Sequence, residues 1–171
     1  LFTPDGRLVA RASRGFATLP GPDRQAMHDF AEIWRAVAEA LAEARRQSGA
    51  SPAQVGALAF DATCSLVVEA PGFAPDVIAW HDHRAVAEAA ELSRIPHEIV
   101  ARAGGSVSPE MQTPKLMWLR RHRPEVWAAL TGVRDLCDHL AFRATGIEAR
   151  SVCAAAAKWP WLPDRGGWQQ D

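Results

Sequence analysis

The chain has 171 residues, of which 48% are hydrophobic and 23% charged, and this length and balance predict one globular domain with a buried core. Its 19 lysines and arginines against 20 aspartates and glutamates leave a formal charge of -1, which excludes a general attraction to nucleic acid or to an anionic membrane. Three cysteines without CxxC spacing, Cys64, Cys137 and Cys153, predict reduced thiols in a cytoplasmic protein and no zinc ribbon.

The first predicted elements are a β-hairpin and a long helix. Two extended runs in "LFTPDGRLVARA" are joined at Asp5-Gly6, a dipeptide that suits the positive φ angles of a tight turn. Asp29 with Glu32 resembles a capping box, and Ser48-Gly49 predicts a helix end. Apolar residues at steps of three and four between these signals predict one buried helix face: Phe30, Ile33, Trp34, Val37 and Leu41.

Short strands and further helices follow. Three apolar runs predict buried strands: "VGALAF" (55–60), "SLVVEA" (65–70) and "DVIAW" (76–80). Helices are predicted over 86–93, from Thr113-Pro114 through "KLMWLRRH", from Pro124, and from a Ser151 cap to Lys158. No apolar run approaches the roughly 20 residues that span a bilayer, and no secretory signal is visible. The pattern favours an α/β domain with hairpins first and helical crossovers later.

The segment "AWHDHRA" (79–85) concentrates residues that can bind a ligand. If the backbone is extended there, Trp80, Asp82 and Arg84 face one side, and His81 and His83 face the other. An indole offers a flat surface to the CH face of a sugar, an aspartate accepts hydrogen bonds from paired hydroxyls, and an arginine holds that aspartate. The trio therefore suits a polyol, and the alternative is a core tryptophan beside a surface ion pair.

The two histidines of this segment have the HxH spacing that a metal ion can use. A metal site needs three or four ligands, and no second group of histidines and cysteines lies nearby in the sequence. Two partly exposed histidines at the end of a strand are the alternative.

The segment "FDATCS" places Asp61, Thr63 and Ser65 on a turn between two apolar runs. Polar groups on such turns commonly reach a ligand, although turn formation alone also explains them. Cys64 has no evident histidine partner and is interpreted as a small buried hydrophobe. Gly104-Gly105 lacks the Gly-Lys-Ser/Thr ending of a phosphate loop and predicts only a bend in the backbone.

Three further charges have two interpretations each. Glu110 and Lys115 flank a proline-rich turn, where solvated charges are the default and ligand contacts the alternative. Lys158 follows four alanines and precedes a tryptophan, so its ammonium group either reaches out to solvent or points at an oxygen-rich ligand.

Four segments, in chain order, resemble the pentulose-kinase branch of the FGGY carbohydrate kinases, and ribulokinases in particular: "FDATCSLVV", "WHDHRA", "GGSVSPEMQTPKLMWL" and "KWPWL". The resemblance runs from about Leu1 to about Asp171. It implies the α/β fold of a ribonuclease-H-like N-terminal lobe of the actin and hexokinase type, with a mixed sheet and flanking helices. It also implies transfer of the γ-phosphate of Mg-ATP to a sugar hydroxyl, with the sugar bound mainly by this lobe.

The resemblance assigns substrate-binding positions one at a time. Ala62 and Thr63, after Asp61, fall where kinases of the family place sugar-contacting residues, and their small size fits the ribulokinase branch.

Further along the chain, Trp80, Asp82 and Arg84 match the W-x-D-x-R motif of the sugar pocket. Glu110 falls where glycerol kinases carry a polyol-contacting tyrosine, and Lys158 matches a lysine that ribulokinases direct at the ketose. The neighbouring histidines become bystanders.

The chain departs from the family pattern in two places. It lacks the D-x-G-T turn that contacts phosphate, and it lacks the aspartate that serves as catalytic base. We therefore expect residues 1–171 to be part of a single N-terminal sugar-binding domain, truncated at both ends, that holds no catalytic residue and phosphorylates nothing by itself. Most of the ATP and Mg²⁺ site would lie outside this chain. The expected partner is a small sugar, a homodimer is allowed, and the alternative function is an inactive sugar-binding or regulatory module.

Overall fold

A computed structural model of the chain describes residues 1–169. The main sheet consists of β1 (Leu19–Pro20), β2 (Ala26–His28), β3 (Leu66–Glu69), β4 (Val77–Ile78) and β5 (Gly132–Asp135). The helices are α1 (Phe30–Ser48), α2 (Val86–Leu92), α3 (Glu98–Arg102), α4 (Gln112–His122), α5 (Pro124–Ala128), α6 (Leu136–Thr145) and α7 (Val152–Lys158). Near the end, β6 (Trp161–Leu162) and β7 (Gly167–Trp168) pair with each other.

The sheet separates two apolar layers. Its order is β1-β2-β4-β3-β5, and every pairing among these strands is antiparallel. Because side chains alternate along a strand, β3 and β4 each contribute to both layers. One layer contains Met27, Leu66, Val68, Phe73, Ile78, Leu119 and Val126. The other contains Phe30, Ile33, Val67, Val77, Leu136 and Leu140.

Helices cover both faces of the sheet. Helices α4 and α5 pack on the first layer, whereas α1 and α6 pack on the second. The predicted α/β class with flanking helices is confirmed, although the described pairings are antiparallel where a mixed sheet was expected. None of the helices within residues 1–169 is long and apolar enough to cross a membrane.

Helix α1 begins and ends where the sequence predicts. The side chain of Asp29 accepts hydrogen bonds from the amides of Ala31 and Glu32, at 2.7 and 3.4 Å. Gly49 ends the helix with a φ of 70°, which a residue without a Cβ adopts at little cost. The Ser151 cap of α7 is also confirmed, because its side chain accepts from the amide of Ala154.

Several local predictions were wrong or only partly right. The segment 55–60 is not a strand: no strand of the described chain pairs with it, and Leu58 is exposed. The predicted N-terminal hairpin has a single bridge between Phe2 and Leu8. Helix α4 begins at Gln112, ahead of the predicted Thr113-Pro114 start. Helices α3 and α6 and strands β1, β2, β5, β6 and β7 were not predicted.

Candidate functional site

The backbone turns immediately after β4, and this turn (residues 79–84, the β4 turn) separates the side chains of the W-x-D-x-R motif. The amide of Asp82 donates to the carbonyl of Ala79 at 3.1 Å, which closes the turn. Trp80 is therefore 42% exposed whereas Asp82 has no exposed surface. The prediction that Trp80 and Asp82 share one side of an extended strand was wrong, because strand geometry ends at Ile78.

Asp82 lies beneath the surface, where protein donors occupy both carboxylate oxygens. Oδ1 accepts from the amide and Nε of Arg84 at 3.0 and 2.9 Å, and Oδ2 accepts from Nη2 of Arg84 at 2.8 Å and from the amide of Ala26 at 2.6 Å. Burial by itself raises the pKa of this carboxyl group, but the hydrogen bonds and charge of Arg84 outweigh burial and hold the pKa below its usual range. In this conformation the carboxylate anchors the β4 turn and does not face solvent.

The turn that precedes β3 (residues 61–65) is tied to the β4 turn. Ser65 Oγ accepts from the amide of Trp80 at 3.1 Å and lies 3.3 Å from Thr63 Oγ1. Asp61 and Thr63 are exposed, whereas Ala62 packs against the second apolar layer. The structure therefore brings Thr63 and Trp80 together at one end of the sheet.

Glu110 connects two elements of the site, and we call this arrangement the Glu110 bridge. Its Oε1 lies 3.1 Å from Nε2 of His83, and its Oε2 lies 3.8 Å from Nζ of Lys158. Both charged side chains keep some exposure, 26% for Glu110 and 20% for Lys158. The ring of His83, interpreted as a bystander, therefore contacts a predicted site residue.

Lys115 was interpreted by default as a solvated charge, and the structure corrects this. The side chain has no exposed surface, and Nζ donates to the carbonyl oxygens of Ala79 and Trp80 at 3.0 and 3.4 Å. Burial lowers the pKa of Lys115 to about 8, against a usual 10.5. The proline-rich motif "SPEMQTPK" contains two charged residues, Glu110 and Lys115. Their spacing in the sequence could not show which of the two side chains is buried.

A buried polar group that the sequence did not reveal links α4, β5 and α7. Gln112 Nε2 donates to Asp135 Oδ1 at 2.7 Å and to the carbonyl of Cys64 at 3.0 Å. The indole N–H of Trp159, next to Lys158, donates to the other oxygen of Asp135. Burial raises the pKa of Asp135 above its usual range, although these two donors favour its ionised form.

A cavity of about 260 Å³ lies beside the Glu110 bridge. Lys158 is the one residue of the predicted set that lines it, and its walls are largely apolar, with Leu92, Ile95, Val100 and Val107 among them. The predicted residues therefore do not all share one concave surface. Thr63, Trp80, Glu110 and Lys158 lie towards the surface, while Asp82 and Arg84 support the β4 turn from below.

Residues 1–169 contain no group of three histidine, cysteine, aspartate or glutamate side chains that could hold a metal ion. The resemblance to Mg-ATP-dependent enzymes likewise assigns no metal ligand to these residues.

Comparison with known proteins identifies the family of this domain. Residues 1–158 match the N-terminal domain of the FGGY family of carbohydrate kinases. The chain belongs to this family.

Relatives in the family are similar over most of the chain. An FGGY carbohydrate kinase domain-containing protein of Danio rerio is 34% identical in an alignment 178 residues long, which covers 97% of this chain and 32% of the relative. A D-ribulokinase of Saccharomyces cerevisiae is 37% identical over 145 residues, which cover 77% of this chain and 20% of the relative. The chain thus spans about a third or less of the length of these relatives.

Solved structures confirm the predicted fold. The ligand-bound xylulose kinase of Lactobacillus acidophilus superposes with a TM-score of 0.84 at 20% identity, over 99% of this chain and 35% of that one. The xylulose kinase of Rhodospirillum rubrum gives a TM-score of 0.71 at 26% identity, over 84% and 31% of the two chains.

Proposed function

We propose that this chain is the sugar-binding part of an ATP-dependent ketopentose kinase and that it forms one part of a single N-terminal domain. The observation that carries the proposal is the exposed indole of Trp80, whose amide is fixed to the 61–65 turn through Ser65 Oγ. An exposed aromatic ring held by its backbone at the end of a sheet is suited to stack on the apolar face of a sugar.

The neighbouring polar groups supply the hydrogen bonds that sugar recognition requires. Lys158 offers a donor, Glu110 an acceptor, and Thr63 a hydroxyl that can do both. Because Lys158 Nζ and Glu110 Oε2 are 3.8 Å apart, beyond hydrogen-bonding distance, both keep capacity for ligand hydroxyls. We propose that Asp82 and Arg84 position the β4 turn. Asp61 and Ala62 would determine the shape of the adjoining 61–65 turn.

Phosphoryl transfer would be an activity of the whole protein. Bound Mg-ATP would supply the γ-phosphoryl group and the metal charge that stabilises its transfer, while the present residues orient the sugar and exclude water from one side of it. The family supports a carbohydrate substrate, and the names of the D-ribulokinase and xylulose kinase relatives favour a ketopentose. We also propose a cytoplasmic location, because the three cysteines are free thiols and form no disulfide framework among the described residues. A homodimer stays a prediction.

The test is a steady-state assay of the whole protein with ATP and a panel of D-ribulose, L-ribulose, D-xylulose and glycerol, with ADP release as the measurement. We expect a ketopentose to give the highest kcat/KM. If the protein phosphorylates none of these compounds, the proposed kinase activity is contradicted. Sugar binding without turnover would then favour an inactive binding module.

A matched pair of tryptophan variants tests the site itself. Trp80→Ala should raise KM for the preferred sugar about tenfold or more, because one face of the sugar loses its stacking partner. Trp127→Ala removes a comparably exposed indole from α5. This helix leads into β5, which begins beside Glu69, at the end of β3 that lies away from the 61–65 turn. The KM of the Trp127→Ala variant should therefore match that of the unaltered protein.

A further inference from the structure

Lys115 places an ammonium group in the interior of the protein. It has no exposed surface, and among residues 1–169 it forms no salt bridge. Burial of an ammonium group is costly unless hydrogen bonds and nearby charge compensate it. The groups that this charge contacts are therefore the place to look for its role.

The contacts of Lys115 are two successive carbonyl groups at the start of the β4 turn. Its Nζ donates to Ala79 O at 3.0 Å and to Trp80 O at 3.4 Å. On the amide side, Ala79 N–H donates to Ala26 O at 2.9 Å and Trp80 N–H donates to Ser65 Oγ at 3.1 Å. The backbone of these two residues is therefore held through both its donors and its acceptors.

We propose that Lys115 is a positioning residue for the sugar site: its ammonium group fixes the carbonyls of Ala79 and Trp80 and so holds the Trp80 indole in the orientation that receives the sugar. The inference rests on the proposed function and adds to it a residue that does not touch substrate. Lys115 also links the two sequence motifs of the site, since it lies on α4 while Trp80 follows β4.

The charge on Lys115 depends on pH within an accessible range. Burial lowers its pKa to about 8, the charge of Asp82 favours the ammonium form, and Lys158 opposes it. Glu110 and Arg84 complete the facing charged groups, with opposite effects on the pKa. A charged donor makes stronger hydrogen bonds than a neutral one, so the hold on the two carbonyls weakens as the pH rises through 8.

The experiment compares the whole protein with Lys115→Met, which keeps a long apolar stem and removes both the charge and the donors. KM for the preferred ketopentose should rise about tenfold or more while kcat changes by less than about threefold, because the hydrogen bonds that position Trp80 are lost and the reacting groups are untouched. KM of the unaltered protein should rise above pH 8, and KM of the variant should be insensitive to pH there. The control is Leu119→Met, a volume-conserving change at another fully buried position of α4, which should leave KM unchanged.

A second measurement does not require activity. The emission of Trp80, obtained as the difference between the unaltered protein and Trp80→Phe, should shift between pH 7 and 9 with a midpoint near 8, and Lys115→Met should abolish that shift. If Lys115→Met does not fold, as judged by circular dichroism, the comparison with Trp80→Phe decides alone. Unchanged KM in a folded Lys115→Met, or a Trp80 emission that is flat from pH 7 to 9, would overturn the inference. A protein inactive on every sugar whose Trp80 emission still titrates overturns the proposed substrate and supports the positioning of Trp80 by Lys115.

Discussion

Asp82 and Arg84 form a bidentate ion pair in the interior, with 0% and 3% of their side chains exposed. The pair closes the β4 turn on itself, and the Ala26 amide ties it to β2. The guanidinium also lies over the ring of Trp118 on α4, 4.9 Å from its centroid. The most recognisable polar motif of the sequence therefore stabilises the site from below.

Removal of one partner of this pair should be far more damaging than removal of both. Asp82→Ala leaves a buried guanidinium without its counter-ion and should lower the free energy of unfolding by about 3 to 5 kcal/mol. The double variant Asp82→Leu, Arg84→Met leaves no unpaired charge and should lose less. Urea denaturation measures both, and a loss below about 1 kcal/mol in the single variant would contradict a structural role for the pair.

His139 should make the domain sensitive to mild acid. Burial lowers the pKa of this ring to about 4, and the charges of Arg134 and Arg143 act in the same direction. Glu69 Oε1 lies 3.9 Å from Nδ1, too far for a hydrogen bond, and already pairs with Arg134. Between pH 6.5 and 4 the unfolded chain binds a proton that the folded state does not, so stability falls as the pH decreases.

The size of this effect should be about 2 kcal/mol across that interval. His139→Leu should flatten the dependence of unfolding free energy on pH between 6.5 and 4, as measured by urea denaturation. His81→Leu, at an exposed position, serves as the control and should keep the slope of the unaltered protein. An unchanged slope in the His139 variant would show that the pKa of this ring is the same in the folded and unfolded states.

Lys115 should give a pH dependence of the same sign at alkaline pH. Its pKa is about 8 in the folded protein against a usual 10.5, so the unfolded chain holds an extra proton between these values. Stability from this residue therefore rises as the pH increases from 8 to 10.5, by an amount on the order of 2 kcal/mol. The difference in unfolding free energy between the unaltered protein and Lys115→Met, compared at pH 8 and pH 10, isolates the effect because all other groups titrate in both. An identical difference at the two pH values would contradict a depressed pKa.

Asp135 should be needed to hold Gln112 and Trp159 together. Asp135→Asn replaces one of two acceptor oxygens by a donor, so one of the two buried hydrogen bonds is lost and stability should fall by about 1 to 3 kcal/mol. Asp61→Asn, at an exposed position, should change stability by less than about 0.5 kcal/mol. Thermal unfolding followed by circular dichroism compares the two, and equal melting temperatures would argue against the buried network.

Elements that depend on local signals were predicted from the sequence. Helix α1 was predicted together with both of its ends, because an apolar stripe, an aspartate cap and a C-terminal glycine are properties of consecutive residues. The segment 55–60 had an equally apolar sequence, but a strand also needs a partner, and no described strand pairs with it. Its local pattern could not reveal that.

The sequence by itself determined the fold family, helices α1, α2, α4, α5 and α7, and the segments that carry the candidate site, since motifs and periodicity survive in the linear order of residues. Only the tertiary structure decided which charges are buried. It placed Asp82 and Lys115 in the interior, left Trp80 exposed, and brought His83 to Glu110 across 27 positions of the chain. Burial and partnership depend on contacts between distant segments, and these determine both the pKa of a charged group and whether a ligand can reach it.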